Sequence, residues 1–268
     1  MSGDYPQFRR RSSRARILLP PVILAYHSVN DVPLALDYYR LATPPAQLDR
    51  DLRFFRCLGY RTVTFSEMAR RASQGGARGH LAVTFDDGFA DNLTAAVQVL
   101  ARHGTPATTF VIAGMLGEPH PDAPASSILS APQVRDLRRA GFEIGAHGVH
   151  HVDLTSVPRA VACEEMRRSK LLLEDVLQER IAALAYPFGK TDLGVAADAA
   201  AAGFEAACVI HGGTWTNPWM LPRVPTGNAM RLRRVWLSSH PRLEVLADWI
   251  LSLSRRSPVP GSAGLKPS

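Results

Sequence analysis

The chain has 268 residues, 46% of them hydrophobic, which suits one large α/β domain with a sizeable core better than two small ones. No stretch approaches the roughly 20 continuous apolar residues of a transmembrane helix, so the composition predicts a soluble globular protein. The formal charge of +7 resembles a nucleic-acid signal only until it is mapped. Arg9, Arg10, Arg11, Arg14 and Arg16 stand against Asp4 at one end, and Arg255, Arg256 and Lys266 stand at the other with no acid after residue 254. Residues 17–254 are therefore balanced, which argues against a nucleic-acid partner, since that needs clustered charge on the folded face. The Arg-rich arm is read as a solvated tail, with weak peripheral attraction to acidic lipid headgroups as the other reading.

Cys57, Cys163 and Cys208 are few, odd in number and without a CxxC pair. That pattern fits a reducing compartment and buried small side chains more than a disulfide framework. Arginines followed by ILLPPVILA imitate a signal peptide, but two prolines interrupt the apolar run and no small-residue cleavage site is evident. The expected location is cytoplasmic. The expected organisation is a basic arm over 1–19, one domain over 20–254 and a tail over 255–268.

In chain order, Val22–Tyr26 reads as a buried strand. Leu48, Leu52 and Phe55 fall on one helical stripe that Gly59 ends. A short strand at Thr62–Phe65 leads to a helix begun by Ser66, and the apolar run Leu81–Phe85 is the next strand. A helix then carries Leu93, Val97 and Leu100 and stops at Gly104. Ala107–Ile112 is a strand, 113–129 a long Gly/Pro-rich loop, and Ser130 caps a helix that ends at Gly141. Glu143–Ala146, a long helix near 158–178, strand Ala182–Tyr186, a helix over 194–202 and strand Ala206–Ile210 continue the alternation. A helix around 242–254 closes it. Repeated strand–helix units indicate a parallel sheet. About seven of them, too many for a small open sheet, predict a single-domain α/β barrel.

Four polar clusters follow four predicted strands: His27 after VILAY, Asp86–Asp87 after LAVTF, His147 after EIGA, and Pro187–Phe188 after LALAY. In a parallel barrel the loops at the carboxyl ends of the strands open on one face, so residues distant in sequence meet there. Adjacent carboxylates repel unless a cation or shared proton relieves them. A metal does so if one binds it and the other handles protons, although an aspartate before a helix also serves as an N-cap. His147 and His151, four apart, bring two imidazoles to one side of a helical turn. With Asp87 they make three protein ligands and leave open positions, the pattern of a catalytic metal site. His150 competes as a ligand.

At these residues the chain resembles the polysaccharide deacetylases, the NodB-type domain of carbohydrate esterase family 4. Thr84–Gly88 is TFDDG, and His147–His151 matches H-[S/T]-x-x-H with Gly148 in the hydroxyl position. SAPQVRDLRRAGFEIGAHGVHH and AYPFGK extend the likeness over roughly residues 20–225. The resemblance implies a distorted (β/α)7-type barrel and a divalent metal, commonly Zn2+, on Asp87, His147 and His151, with Asp86 as base. Two departures stand out. The arginine of the family's R-x-P-[F/Y] motif, which orients the base, is here Ala185, and Arg223 in LPRVP is the candidate substitute, against the reading of a surface ion pair. No convincing Leu-x-His motif lies near Leu237–His240. The chain instead resembles the circularly permuted poly-N-acetylglucosamine deacetylase branch, whose acid histidine follows an N-terminal strand, here Tyr26-His27.

The resemblance thus implies hydrolysis of an N-acetyl group on an amino-sugar-containing substrate, a glycan, glycoside or lipid-linked sugar. The backbone N–H of Phe188 would serve the oxyanion, and His27 would protonate the leaving amine. Tyr186, Pro187, Phe188, Trp215 and Trp219, with Tyr38 and Tyr39, are the candidate substrate contacts. Two competing readings remain at this point: an amidohydrolase acting on a non-sugar amide or ureide, and a carbohydrate-binding protein that has lost activity.

Overall fold

A computed structural model describes residues 19–33 and 35–226. The expected helix at 242–254 and the Leu237–His240 segment lie outside them. The parallel strands are β1 (Val22–Tyr26), β2 (Arg61–Val63), β3 (His80–Phe85), β4 (Thr108–Val111), β7 (Glu143–Ala146), β8 (Ala183–Ala185), β9 (Ala206–Val209), β10 (Leu221–Pro222) and β11 (Val224–Pro225). They form one sheet in the order β10-β9-β8-β7-β4-β3-β1-β11. Because β10 and β11 are separated only by Arg223, the segment 221–225 acts as one stave. Its start pairs with β9 and its end with β1, which closes a (β/α)7-type barrel. Strand β2 pairs with the first half of β3, and β4 with the last residues of β3.

The helices are α1 (Pro45–Leu58), α2 (Phe65–Ser73), α3 (Val97–His103), α4 (Ala131–Arg139), α5 (Arg159–Leu177) and α6 (Leu193–Ala201). Local chemistry explains their ends. Gly59 terminates α1 at φ +95°, where a side chain would be strained. Ser130 caps α4 and its own N–H donates to Gln133 at 2.9 Å. The cap of α2 is Thr64, whose hydroxyl accepts from the Glu67 N–H, so the helix begins at Phe65, one residue before the expected Ser66. A π-helical turn, Asn92–Ala96, precedes α3. The segment 113–129, read as a plain loop, contains an antiparallel hairpin of β5 (Pro119–His120) and β6 (Ala123–Ser127). Cys57 is exposed and Cys208 buried, so the expectation of buried thiols holds only for the latter of these two.

Successive strand side chains alternate between the two faces of a sheet, and here the alternation sorts the core. Ile23, Ala82, Phe110, Ala183, Ala185, Ala206, Cys208 and Leu221 form one cluster, the barrel lining. Val22, Leu24, Tyr26, Val83, Phe85, Ile144, Leu184, Tyr186 and Val209 belong to the other, between barrel and helices. Small linings leave room for Phe110, whose buried ring adds about 1.5–3 kcal/mol of burial. At Gly145 a Cβ would sit 2.4 Å from that ring, so no larger residue fits without displacing it. Following the inward parity upward, Ile23 and Ala25 lead to His27, Ala82 and Thr84 to Asp86, Gly145 to His147, and Leu221 to Arg223. The alternation itself therefore delivers four of the candidate groups to the barrel mouth.

Candidate active site

Asp86 is buried and meets Arg223 in a two-pronged pair, Nη1 to Oδ1 at 2.6 Å and Nη2 to Oδ2 at 2.8 Å. Arg223 also donates to the Thr84 hydroxyl at 3.2 Å and lies 5.6 Å from the centre of the Phe110 ring. The surface ion-pair reading of Arg223 is thereby excluded, since the residue is only 4% exposed. Burial would raise the Asp86 carboxyl, but the charges of Arg223, His147 and His27 and the Arg223 hydrogen bonds outweigh it and hold it below the usual range.

Continued alternation would turn Asp87 out of the barrel. Instead its backbone takes φ +66°, and Gly88 follows at +75°. Of the five non-glycine residues with positive φ among the described residues, Asp87, His151 and Phe188 belong to this site. Such backbone costs on the order of 1 kcal/mol or more per residue and persists where the surroundings enforce it. The result is a tight cluster. Asp87 Oδ1 lies 3.3 Å from His147 Nε2 and 3.4 Å from His151 Nε2. The ligand atoms of all three residues fall within 4.8 Å of one another.

The hydrogen-bonding pattern suits a cation. His147 Nδ1 is 2.8 Å from the Ala185 carbonyl, which can only accept, so that nitrogen carries a proton, and whenever the ring is neutral Nε2 offers its lone pair toward Asp87. Asp87 Oδ1 is buried with no well-formed hydrogen bond. An anionic oxygen facing imidazole lone pairs is unfavourable unless a positive charge lies between them. Burial pushes the His151 imidazole down to about 4, with the charge of His147 adding to the effect, so it is a neutral donor at pH 7. At His147 burial acts in the same direction, but Asp86 and Asp87 outweigh it and raise the value. The negative field that favours a proton there equally favours a metal ion.

The histidine segment is held from beneath by Glu165 of α5. One carboxylate oxygen accepts from the backbone N–H of Val149 at 2.8 Å and of His150 at 2.9 Å, and the other takes His150 Nδ1 at 2.6 Å. His150, its side chain 63% exposed, thus leans away from Asp87. Gly148 adopts φ +76°, and a Cβ there would approach Glu165 Oε2 to 3.3 Å. This geometry accounts for glycine where the motif usually carries a hydroxyl residue. On the opposite wall, Asn92 donates to the His27 carbonyl at 3.0 Å, and Asp91 accepts from the Val29 N–H at 2.9 Å and from the Ser28 hydroxyl. These contacts tie the loop after β1 to the segment after β3. His27 is close enough for its charge to act on both Asp86 and Asp87.

The aromatic candidates divide. Phe188 is 50% exposed and its ring centre lies 4.6 Å from that of His151. Pro187 is buried beside Gly148. Tyr186 has the outward parity: it is fully buried and donates to the Trp219 carbonyl at 3.0 Å, which corrects the expectation that it faces a ligand. Trp219 spends its indole N–H on the carbonyl of Phe204, ahead of β9 and away from the mouth, and packs among the barrel–helix core, which corrects that expectation too. Trp215 is half-buried against the barrel lining. Tyr38 and Tyr39 are exposed in the loop after β1, edge to face at 4.9 Å.

A further buried group, like Glu165 and Asn92, has no counterpart in the sequence reading. His120, from the β5–β6 hairpin, places Nε2 3.1 Å from Asp87 Oδ2 and stacks on Phe89 at 4.5 Å. Burial would raise the Asp87 carboxyl, yet the close imidazoles of His120 and His147 and the charges of His27 and His147 hold it well below its usual value. Nothing in the sequence around His120 marked it, because the hairpin that carries it has no periodic pattern.

Barrel and cluster together define a barrel-type deacetylase architecture. The chain belongs to the polysaccharide deacetylase family, whose model matches residues 74–207, half of the chain. Among curated proteins it is similar to YxkH of Bacillus subtilis, 26% identical over 170 residues. That match covers 63% of this chain and 56% of the relative, so the chain spans little more than half of that protein's length. Among solved structures it shares its fold with the deacetylase PplD of Streptococcus pyogenes, in complex with acetate, at a TM-score of 0.71 and 24% identity, covering 83% of this chain and 98% of that one. IcaB of Ammonifex degensii is similar at a TM-score of 0.68 and 22% identity, covering 85% and 96%.

Proposed function

We propose that the protein hydrolyses the N-acetyl group of an amino-sugar-containing substrate, with a divalent cation, zinc by family resemblance, held by Asp87, His147 and His151. The observation that carries this reading is the buried Asp87 Oδ1 facing two imidazole nitrogens, beside a second aspartate whose charge is already matched by an arginine. A divalent ion supplies Lewis acidity, making a water easier to deprotonate and an amide carbonyl more electrophilic.

The protein's own groups would then divide the remaining work. Asp86, ionised and fixed by Arg223, takes the proton released as the water oxygen bonds to the acetamide carbon. Arg223 stands in for the arginine absent at Ala185: both of its forked donors are engaged, so the carboxylate cannot rotate away. The backbone N–H of Phe188 steadies the oxyanion. His27, protonated, gives its proton to the nitrogen as the C–N bond breaks, so that acetate and a free amine result. Phe188, Trp215, Tyr38 and Tyr39 are the aromatic faces offered to sugar rings.

The test begins with metal content, followed by mass spectrometry on a panel of N-acetylated sugars and oligomers. We expect the sugar to lose acetyl mass when treated with the zinc-loaded protein and to lose none after chelation. His27→Ala should retain metal while turnover falls about 10²–10⁴-fold. Failure to take up metal, or release of acetate by no N-acetylated sugar, would sink the proposal.

A further inference from the structure

The hairpin that carries His120 is fastened to the aspartate motif from both sides. Leu129 N–H donates to the Gly88 carbonyl at 2.8 Å and Ala90 N–H to the Ser127 carbonyl at 2.9 Å, while Phe89 bridges to Ile128. The ring of His120 lies flat on Phe89, 23° from parallel, with its side chain fully buried. Its tautomer is fixed. The backbone N–H of Asp122 donates to Nδ1 at 3.1 Å, so Nδ1 is the acceptor and the ring proton resides on Nε2. Nε2, which carries that proton, lies 3.1 Å from Asp87 Oδ2, its N–H turned off the line to that oxygen, so the two are in contact without a formed hydrogen bond and a small turn of the carboxylate would complete one. The two oxygens of Asp87 therefore face different partners: Oδ2 an N–H, Oδ1 the ligand nitrogens of His147 and His151.

We infer that His120 is a positioning residue for Asp87, an N–H donor that fixes one carboxylate oxygen so that the other is presented, in a single orientation, to a metal ion. The inference rests on the metal reading above and extends it. A carboxylate can bind through one oxygen or both, and a donor seated on Oδ2 restricts it to one. Groups that orient a ligand in this way typically contribute 10–100-fold in metal affinity. The hairpin thus supplies part of the metal site although none of its residues touches the ion.

The test is zinc affinity of the full chain, by competition with a chromophoric chelator, for the wild type and three variants. His120→Phe keeps the ring volume and the stack but has no donor. His120→Asn carries its amide only as far as Nδ1. In His120→Gln the amide nitrogen reaches about as far as Nε2. Positioning predicts affinity about 10–100-fold weaker in the Phe and Asn variants, and within a few-fold of wild type in the Gln variant. A purely structural role predicts the reverse order, with Phe tolerated best. Wild-type affinity in His120→Phe, or Gln as weak as Phe, would overturn the inference and leave the metal reading intact. A wild-type protein that binds no zinc would remove both.

Discussion

Tyr26 and His27 are neighbours at the end of one strand, yet they serve opposite sides of the barrel wall. Inside, Asp86 and Asp87 are buried beside an arginine and imidazoles, and both are held in the ionised state. Outside, between β1 and α1, Asp51 is buried with the Tyr26 hydroxyl as its hydrogen-bond donor at 3.0 Å. Desolvation prevails there and pushes the carboxyl up to about 6, although Tyr26 and Arg50 oppose it. Burial is common to both regions, so it does not decide the charge. The partners do: an arginine and a cluster of imidazoles on the inner side, a neutral phenol on the outer.

The contrast can be broken most severely at the aspartate pair. Asp87→Asn should abolish zinc uptake and reduce turnover to background, whereas Asp86→Asn should keep the metal and lower turnover about 10²–10⁴-fold. Metal analysis alongside acetate release separates the two, and equal metal loss in both would show that the neighbours do not divide their roles. Next is Arg223→Met, which leaves Asp86 buried without its counterion. A loss of about 3–5 kcal/mol in denaturant unfolding is expected. Arg223→Lys should lose less stability but still turn over slowly, because a point charge lacks the planar fork.

The outer carboxyl sharpens the comparison from the other direction. The folded-state value of Asp51 lies above that of the unfolded chain, so the folded protein holds the proton more tightly. Its contribution to stability is full below about pH 4 and is lost as pH rises through about 6. Asp51→Asn, which can still accept from Tyr26, should remove up to about 3 kcal/mol of that decline. Urea melts at pH 5 and 7 would read it, and an unchanged slope would show that Asp51 ionises freely. The smallest effect belongs to Arg180, paired with Glu205 at 2.9 Å with both side chains more than half exposed. Arg180→Ala should change stability by less than about 1 kcal/mol and leave turnover unaltered.

Most of the barrel was legible because its strands and helices differ in period, and because the polar clusters fall directly after apolar runs. The association of Asp87, His147 and His151 followed from that placement. Arg223 was readable only as a candidate, since nothing local in LPRVP shows which stave lies opposite it. Tyr186 was misread for a reason visible in hindsight. Ala183 and Ala185 have the small side chains a crowded barrel axis requires, so Leu184 and Tyr186 had to face the helices. Trp219 was misread because a tryptophan after a strand does not disclose that Phe204 has a carbonyl waiting for its indole. His120 and Glu165 act through contacts that cross 33 and 16 residues of chain, and neither bears a local pattern that announces it.

The stave at 221–225 has a consequence for the order in which the protein becomes competent. A growing chain possesses Asp87, His147 and His151, the proposed metal ligands, once residue 151 has emerged. Asp86 acquires its guanidinium only when the closing stave slots between the first strand and the ninth. In the proposed chemistry the metal ligands and the partner of the base therefore come from stretches of chain that end 72 residues apart, at His151 and Arg223, and the seam of the barrel is the latch that joins them.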